Sequence, residues 1–344
     1  MSAQGNIERV YLDAAGGQRP NKAVFDLASP LLNASWNDGI SAHHEAKSSQ
    51  VALGLAIETV TNSFGVGTNQ VLPVHRLSNA IEFLARKFPT AAVSKTARRA
   101  ALEIFQGTKL EVDQNGRITA IPKSGAVFFP AVNQETGVIE DLPKFISEDL
   151  VSIVDATEWF GRTTTPITGD FLIARASSWG GPQSVCFVIS TKTKIEVTNR
   201  ETKSLLPDAF NLLVAATALE NLEDVVANEK RIREYSNQIK IQLRNIPKVR
   251  VHGDDNAVAH LISFDIENVD SESAAIAFDS AGIAIGSGSA CGVESKNSSH
   301  VLEAMGITCA GNLRISIPLD FREDELGFFL EKLPKVISEL TQTL

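Results

Sequence analysis

The sequence predicts an α/β fold, and three features point there. Short, mostly apolar runs read as buried strands: Val151–Val154, Asp170–Ala174 and Val185–Ile189. Stretches of helical repeat lie among such runs, the clearest at Glu45–Phe64 with Leu53, Ile57, Val60 and Phe64 in phase. The first run also ends on an acid, Asp155. In an open α/β sheet the carboxyl ends of strands face the ligand crevice, so Asp155 is a site candidate by position, although an acid ending a strand is more often a solvated turn residue.

Taken in order, Tyr11-Leu12-Asp13 is a short strand breaking into the small-residue turn Ala14–Gly17. The segment from Asn33 to His44 reads as a loop. Its adjacent His43 and His44 do not point the same way on a helix or strand, and no second ligand pair accompanies them, so a solvated loop outweighs a metal site. After the helix at 45–64 come a strand at Gln70–Val74, a helix at Ser78–Phe88 and a strand at Ala91–Val93. Asn115-Gly116 marks a turn in the polar stretch 112–117, and Ala126–Phe129 is the next strand. Gly180-Gly181-Pro182 punctuates the chain before Val185–Ile189. One long helical stretch is predicted over Asp208–Asn245, with Asp208 as N-cap. A terminal amphipathic helix from about Arg322, interrupted near Pro334, closes the chain.

Composition narrows the function classes. The 344 residues are 43% hydrophobic and 21% charged, ordinary for a globular protein with a sizeable core. The formal net charge of −9 disfavours non-specific binding to nucleic acid or to an anionic membrane. No apolar run approaches the roughly 18 residues needed to span a bilayer, and no signal peptide is visible at the start. Three cysteines, Cys186, Cys291 and Cys309, are too few and uneven for a disulfide framework and imply a reducing compartment. The expectation is a soluble cytoplasmic protein.

Several motifs carry a resemblance. Val154–Arg162, VDATEWFGR, resembles the V-D-A-x-Q-x-x-G-K segment of cysteine desulfurases and related class V aminotransferases. Asp170–Val185 resembles the D-F-x-x-x-S-x-H-K-x-x-G-P-K-G segment that follows it there. Tyr11–Ala15 is similar to the family's Y-L-D-N-A-A opening, and Val132–Ile139 to its V-N-N-E-x-G-V-I. The loop at 33–44 loosely resembles N-P-S-S-x-H. Ser287–Cys291 matches the S-G-S-A-C loop of the desulfurase branch, and Ser299–Gly306 resembles that branch's S-x-V-L-x-A-x-G.

The resemblance covers about residues 11 to 335 in motif order. It implies the type I pyridoxal-phosphate transferase fold: a mostly parallel sheet between helices with a smaller C-terminal α/β domain, as a homodimer. The expected division is 14–245 for the large domain and 1–13 plus 246–344 for the small one. The small domain would hold strands at Val249–His252, Ala259–Ile266 and about Asn312–Ser316, and a helix at Ser271–Ala281 capped by Asp270 or Ser271.

The resemblance also implies a site and then breaks it. Asp155 matches the Asp that pairs with the pyridine nitrogen of pyridoxal phosphate. The Schiff-base Lys falls at Ser178, and the His before it at Ser177. Ser78 keeps a hydroxyl at the phosphate-binding turn, but Arg76 replaces its Gly and limits close backbone approach. The ring-stacking His falls at Arg98, which stays protonated and cannot act as a base. The residues supporting the phenolic oxygen fall at Gln134, beside Asn133, and at Glu158. Lys203 lies in the segment that replaces the family's G-G-G-x-E-R-x-x-R-S-G-T, a solvated loop lysine on ordinary grounds and otherwise a substitute for the lost one. Arg314 falls near the Arg that grips the substrate carboxylate, or is a strand Arg in an ion pair. Cys291, flanked by Gly and Ser, is expected to be exposed and reactive, whereas Cys186 and Cys309 read as structural.

Function follows from selective loss. The cofactor is pyridoxal phosphate by family, absent or weakly bound here. The expectation is a desulfurase-like protein that accepts sulfur, scaffolds or regulates sulfur or iron–sulfur metabolism through Cys291, with a sulfur-acceptor or iron–sulfur scaffold protein as partner. The alternatives are an enzyme holding the cofactor non-covalently or through Lys203, and a binding module for a small anion at Arg76 and Arg98.

Overall fold

Two sheets organise the computed structural model, which describes residues 7–20, 22–37, 39, 41–145, 147–198, 204–222, 224–287 and 299–342. The first has seven strands: β2 (Val71–Val74), β3 (Ala92–Ser94), β4 (Lys109–Leu110), β5 (Gly125–Pro130), β6 (Leu150–Asp155), β7 (Phe171–Arg175) and β8 (Cys186–Ser190). Their order is β2-β8-β7-β6-β5-β3-β4. Strands β4, β3, β5, β6 and β7 are parallel, and β8 runs antiparallel to both its neighbours. Helices cover both faces, which is why β6 reads as a near-continuous apolar run. Pro73 is tolerated in β2 because that strand is the sheet edge.

Period-two alternation splits the strands between two cores. Val127, Phe129, Val154, Leu172 and Phe187 face one side, packed with Leu212, Ala215 and Ala218 of α5 (Ala209–Glu220) and Ala56 and Val60 of α2 (His44–Phe64). Phe128, Ile153, Ile173 and Val188 face the other, against Ile81 and Leu84 of α3 (Leu77–Lys87).

The second sheet has the order β1-β11-β12-β10-β9, built from β1 (Val10–Leu12), β9 (Val249–His252), β10 (Leu261–Ile266), β11 (Ile283–Ser287) and β12 (Leu313–Ser316). The N-terminal strand β1 pairs parallel with β11, so the start of the chain is stitched to its C-terminal sheet. Helices α6 (Val225–Asn245), α7 (Ser271–Ser280) and α9 (Glu323–Gln342) close a core around Phe264, Phe278, Ile315 and Phe329. The turn 132–139 of the first unit packs onto the second. Gly137 there has φ 75°, and a Cβ would lie 3.1 Å from that of Leu261, so a side chain would be strained by the backbone and crowded by Leu261.

Three local expectations need correction. The stretch 208–245 is two helices: Asp208 caps α5 as expected, Asn221 takes its carboxyl end, and Asp224 starts α6 by accepting from the Val226 and Ala227 amides. Helix α9 runs unbroken through Pro334. The proline removes the amide that would bond to the Leu330 carbonyl, and Gln242 Nε2 of α6 donates to that carbonyl at 2.7 Å instead. The loop expected from Asn33 starts late, because α1 (Lys22–Ser35) carries the chain through Pro30 to Ser35. His43 and His44 are helix-start residues rather than ligands: His43 Nδ1 accepts from the Ala46 amide as the N-cap of α2. No cluster of three metal-ligating side chains occurs among the described residues.

Candidate functional site

Strands β6 and β7 are parallel, so their carboxyl ends lie side by side and deliver two ionisable residues to one edge, Asp155 and Arg175. Asp155 is almost wholly buried. Its Oδ1 accepts from the Thr157 amide at 3.1 Å and from Thr157 Oγ1 at 2.6 Å. Its Oδ2 accepts from Arg98 Nε at 2.9 Å. Arg98 sits at the N-cap of α4 (Arg99–Ile104), just beyond the end of β3, and its Nη2 also donates to Thr157 Oγ1 at 2.8 Å.

Glu158 extends the alternation of charge. Its Oε1 lies 3.1 Å from Arg175 Nη2 and 3.7 Å from Arg98 Nη2. Arg175 Nη2 also donates to the Ala15 carbonyl at 2.9 Å, tying the N-terminal turn to the cluster. On the far side His260 Nε2 stands 3.6 Å from Glu158 Oε2, longer than a hydrogen bond. Burial pushes the Glu158 carboxyl up, yet the His260 imidazole and the charges of Arg175 and Arg98 outweigh it and hold the group at about 2. Burial, with Arg162 nearby, pushes His260 down to about 4, so the imidazole is neutral at physiological pH. Arg162 is driven down to about 10 by its own burial, and its Nη2 donates to the Ile317 carbonyl at 2.6 Å.

A second cluster bridges the two sheets. Arg314 on β12 places Nη2 3.1 Å from Asp13 Oδ1, and its Nη1 donates to the Gln134 carbonyl at 3.2 Å. Asn133 Oδ1 accepts from the Glu135 and Thr136 amides and so holds its own turn. The Gln134 side-chain oxygen is buried without a partner among the described residues. Burial pushes the neighbouring Glu135 carboxyl up, and its Oε2 accepts from Asn312 Nδ2 at 2.9 Å.

The structure therefore brings Asp155, Glu158, Arg98 and Ser178 together around Thr157, whose carbonyl accepts from Ser178 Oγ. Gln134 and Arg314 form the adjoining cluster. Ser78 makes no hydrogen bond to them and lies exposed in the first turn of α3, which follows the edge strand β2. Arg76 is likewise exposed, while Arg98 is committed to Asp155, so the two arginines do not form one anion site. Cys291 and Lys203 lie outside the described residues. Cys186 is buried and its thiol is pushed up to about 12, in keeping with a structural role. Cys309 is half-buried and also pushed up.

Four partners escaped the sequence reading. Arg175 ends a strand just as Asp155 does, and the same positional rule marks it. Asp13 also closes a short strand, whereas Thr157 and His260 carry no such signal.

These residues do not fit pyridoxal phosphate as the resemblance requires. The carboxylate meant for the pyridine nitrogen is already satisfied by Arg98 and Thr157, a serine bonded to the Thr157 carbonyl stands at the lysine position, and the phosphate turn presents Arg76 and an exposed Ser78.

Comparison with known proteins agrees with the motifs. The family Aminotransferase class-V matches residues 207–329. The cysteine desulfurase IscS of Dictyoglomus turgidum is 23% identical, with 96% of this chain and 95% of the relative covered. A cysteine desulfurase of Klebsiella pneumoniae is 24% identical over 97% of this chain and 94% of its own length. Among solved structures, a NifS-like protein superposes with a TM-score of 0.82 at 20% identity, covering 96% of this chain and all of its own. A NifS-like protein from Rickettsia africae gives 0.81 at 16%, covering 96% and 99%. At those identities the superpositions speak for the fold, that of the type I pyridoxal-phosphate transferases, while the relatives span the chain nearly end to end. The chain is thus similar to cysteine desulfurases over nearly its whole length and to the class V aminotransferases over residues 207–329.

Proposed function

We propose that this protein is a desulfurase-like scaffold that handles sulfur through Cys291 and does not carry out pyridoxal-phosphate-dependent desulfuration. The observation that supports this most is the paired state of Asp155: its carboxylate is held by Arg98, with Ser178 bonded to Thr157 beside it. Desulfuration needs an imine-forming amine and a base for the α-proton, and neither a serine nor a permanently protonated guanidinium supplies them. Cys291 retains the S-G-S-A-C context, in a segment whose flanks are fixed by Ser287 at the end of β11 and by Ser299, the N-cap of α8 (His300–Ala304). Its thiolate takes the outer sulfur of a donor persulfide, and the donor leaves as a thiolate. Transfer to, or shared assembly with, an iron–sulfur scaffold protein in the cytoplasm is the role this reading assigns to a homodimer.

The test is exposure of the purified protein to a low-molecular-weight persulfide, followed by peptide mass analysis. We expect a gain of one sulfur atom on Cys291 and its loss in Cys291→Ser. Equal sulfur uptake by the two proteins refutes the reading. A second reading, with the cofactor held non-covalently or through Lys203, draws on Asp155 standing at the end of β6, and the Arg98 pair counts against it.

A further inference from the structure

We infer that Arg98 and Arg175 are a built-in occupant of the cofactor cleft, closing it with the chain's own charges. The inference rests on the proposed function and deepens it, because it states what keeps the cleft from its family cofactor beyond the missing lysine. Two arginines stand where the family patterns have His and Ser, and both turn inward. Arg98 takes Asp155 at 2.9 Å and Thr157 at 2.8 Å, and Arg175 takes Glu158 at 3.1 Å. The result is a continuous chain of alternating charge, Asp155, Arg98, Glu158 and Arg175, drawn from the segments at the ends of β3, β6 and β7. Asp155 and Glu158 are each at least nine-tenths buried.

A buried carboxylate needs a cation or donors whatever else occupies the site. Where a protonated ring nitrogen is bound, that nitrogen supplies them; here the guanidinium of Arg98 does so permanently. Restoring a lysine alone therefore leaves the cleft closed, since a ring can reach Asp155 only after its buried ion pair is broken, and the displaced guanidinium then keeps only the longer contact with Glu158, which Arg175 already pairs. The arginines rather than Ser178 set the first barrier to binding.

The probe is pyridoxal phosphate itself, titrated by absorbance into the full-length protein, with borohydride trapping and mass analysis. Wild type and Ser178→Lys should show no saturable uptake. The triple variant Arg98→His, Arg175→Ser, Ser178→Lys should bind at least about a hundredfold more tightly than Ser178→Lys alone, the factor that breaking one buried pair implies, and should be reducible at residue 178. Saturable binding by wild type, equal binding by Ser178→Lys and the triple variant, or a folded triple variant that takes up nothing each overturns the inference.

A thermal-unfolding cycle guards against a triple variant that fails to fold. Arg98→Gln and Asp155→Asn should each lower Tm, and the double variant should recover part of the loss because no charge is then left unpaired. Additive losses contradict the inference. Its failure leaves the Cys291 reading intact, because that reading stands or falls on sulfur uptake by Cys291→Ser.

Discussion

His260 immediately precedes β10 within an apolar stretch, with nothing in its immediate sequence to suggest that it faces a carboxylate. Its imidazole is held neutral by burial and by Arg162, with a folded pKa of about 4 against an ordinary 6.5. A depressed histidine stabilises the fold above pH 6.5 and loses that contribution as the pH falls from 6.5 to about 4, because the unfolded chain then takes up the proton first. The shift corresponds to about 3 kcal/mol. Glu158, held at about 2, loses its contribution only below the ordinary carboxylate range, whereas Glu135 and Glu140, both pushed up by burial, act in the opposite sense. We therefore expect urea denaturation to show wild type losing more stability between pH 7 and pH 4 than His260→Gln does. Equal losses would remove His260 from the account of acid sensitivity. The same residues mark what a sequence discloses at this scale. Asp155, Glu158, Arg98 and Ser178 were legible because each sits in a motif with fixed spacing. His260 was not, because a lone residue declares its partner only once the chain has folded, and the pairing of Arg175 with Glu158 likewise appears only in the fold although its place at a strand end was readable.

Elements were more legible than residues where one physical signal dominated. The central strands announced themselves by being buried on both faces, and Asp208 and Asp270 were readable as caps because a short acidic side chain before a helical repeat has few other uses. Pro334 misled, suggesting a break in α9 that the Gln242 side chain heals. Gln242→Leu leaves the Leu330 carbonyl without that donor and should cost about 1 kcal/mol. Chemical denaturation measures it, and a change indistinguishable from zero means that water serves the carbonyl as well. Asp224→Ala should cost about the same, through the lost cap at the break between α5 and α6.

At the scale of the molecule, an N-terminal apolar face calls for a partner. Phe25 is 67% exposed on α1, Trp36 is 62% exposed just beyond it, and Val51 and Leu55 project from α2 one turn apart. We propose that this face contributes to the homodimer, and that 14–245 and 1–13 plus 246–344 are the two folding units within each copy. Phe25→Asp with Trp36→Glu should shift the mass measured by light scattering from dimer to monomer without altering the circular dichroism of the fold. A dimer that survives both changes is held elsewhere. No described helix is long and apolar enough to cross a membrane.

The proposed cofactor-free role of this desulfurase-like protein can be tested in one experiment. Wild-type protein is incubated with pyridoxal phosphate, reduced with borohydride and digested for peptide mass analysis. We expect no absorbance in the visible range and no reduced adduct on any lysine. A stoichiometric adduct on a single lysine, Lys203 above all, would contradict that role and favour a pyridoxal-phosphate enzyme.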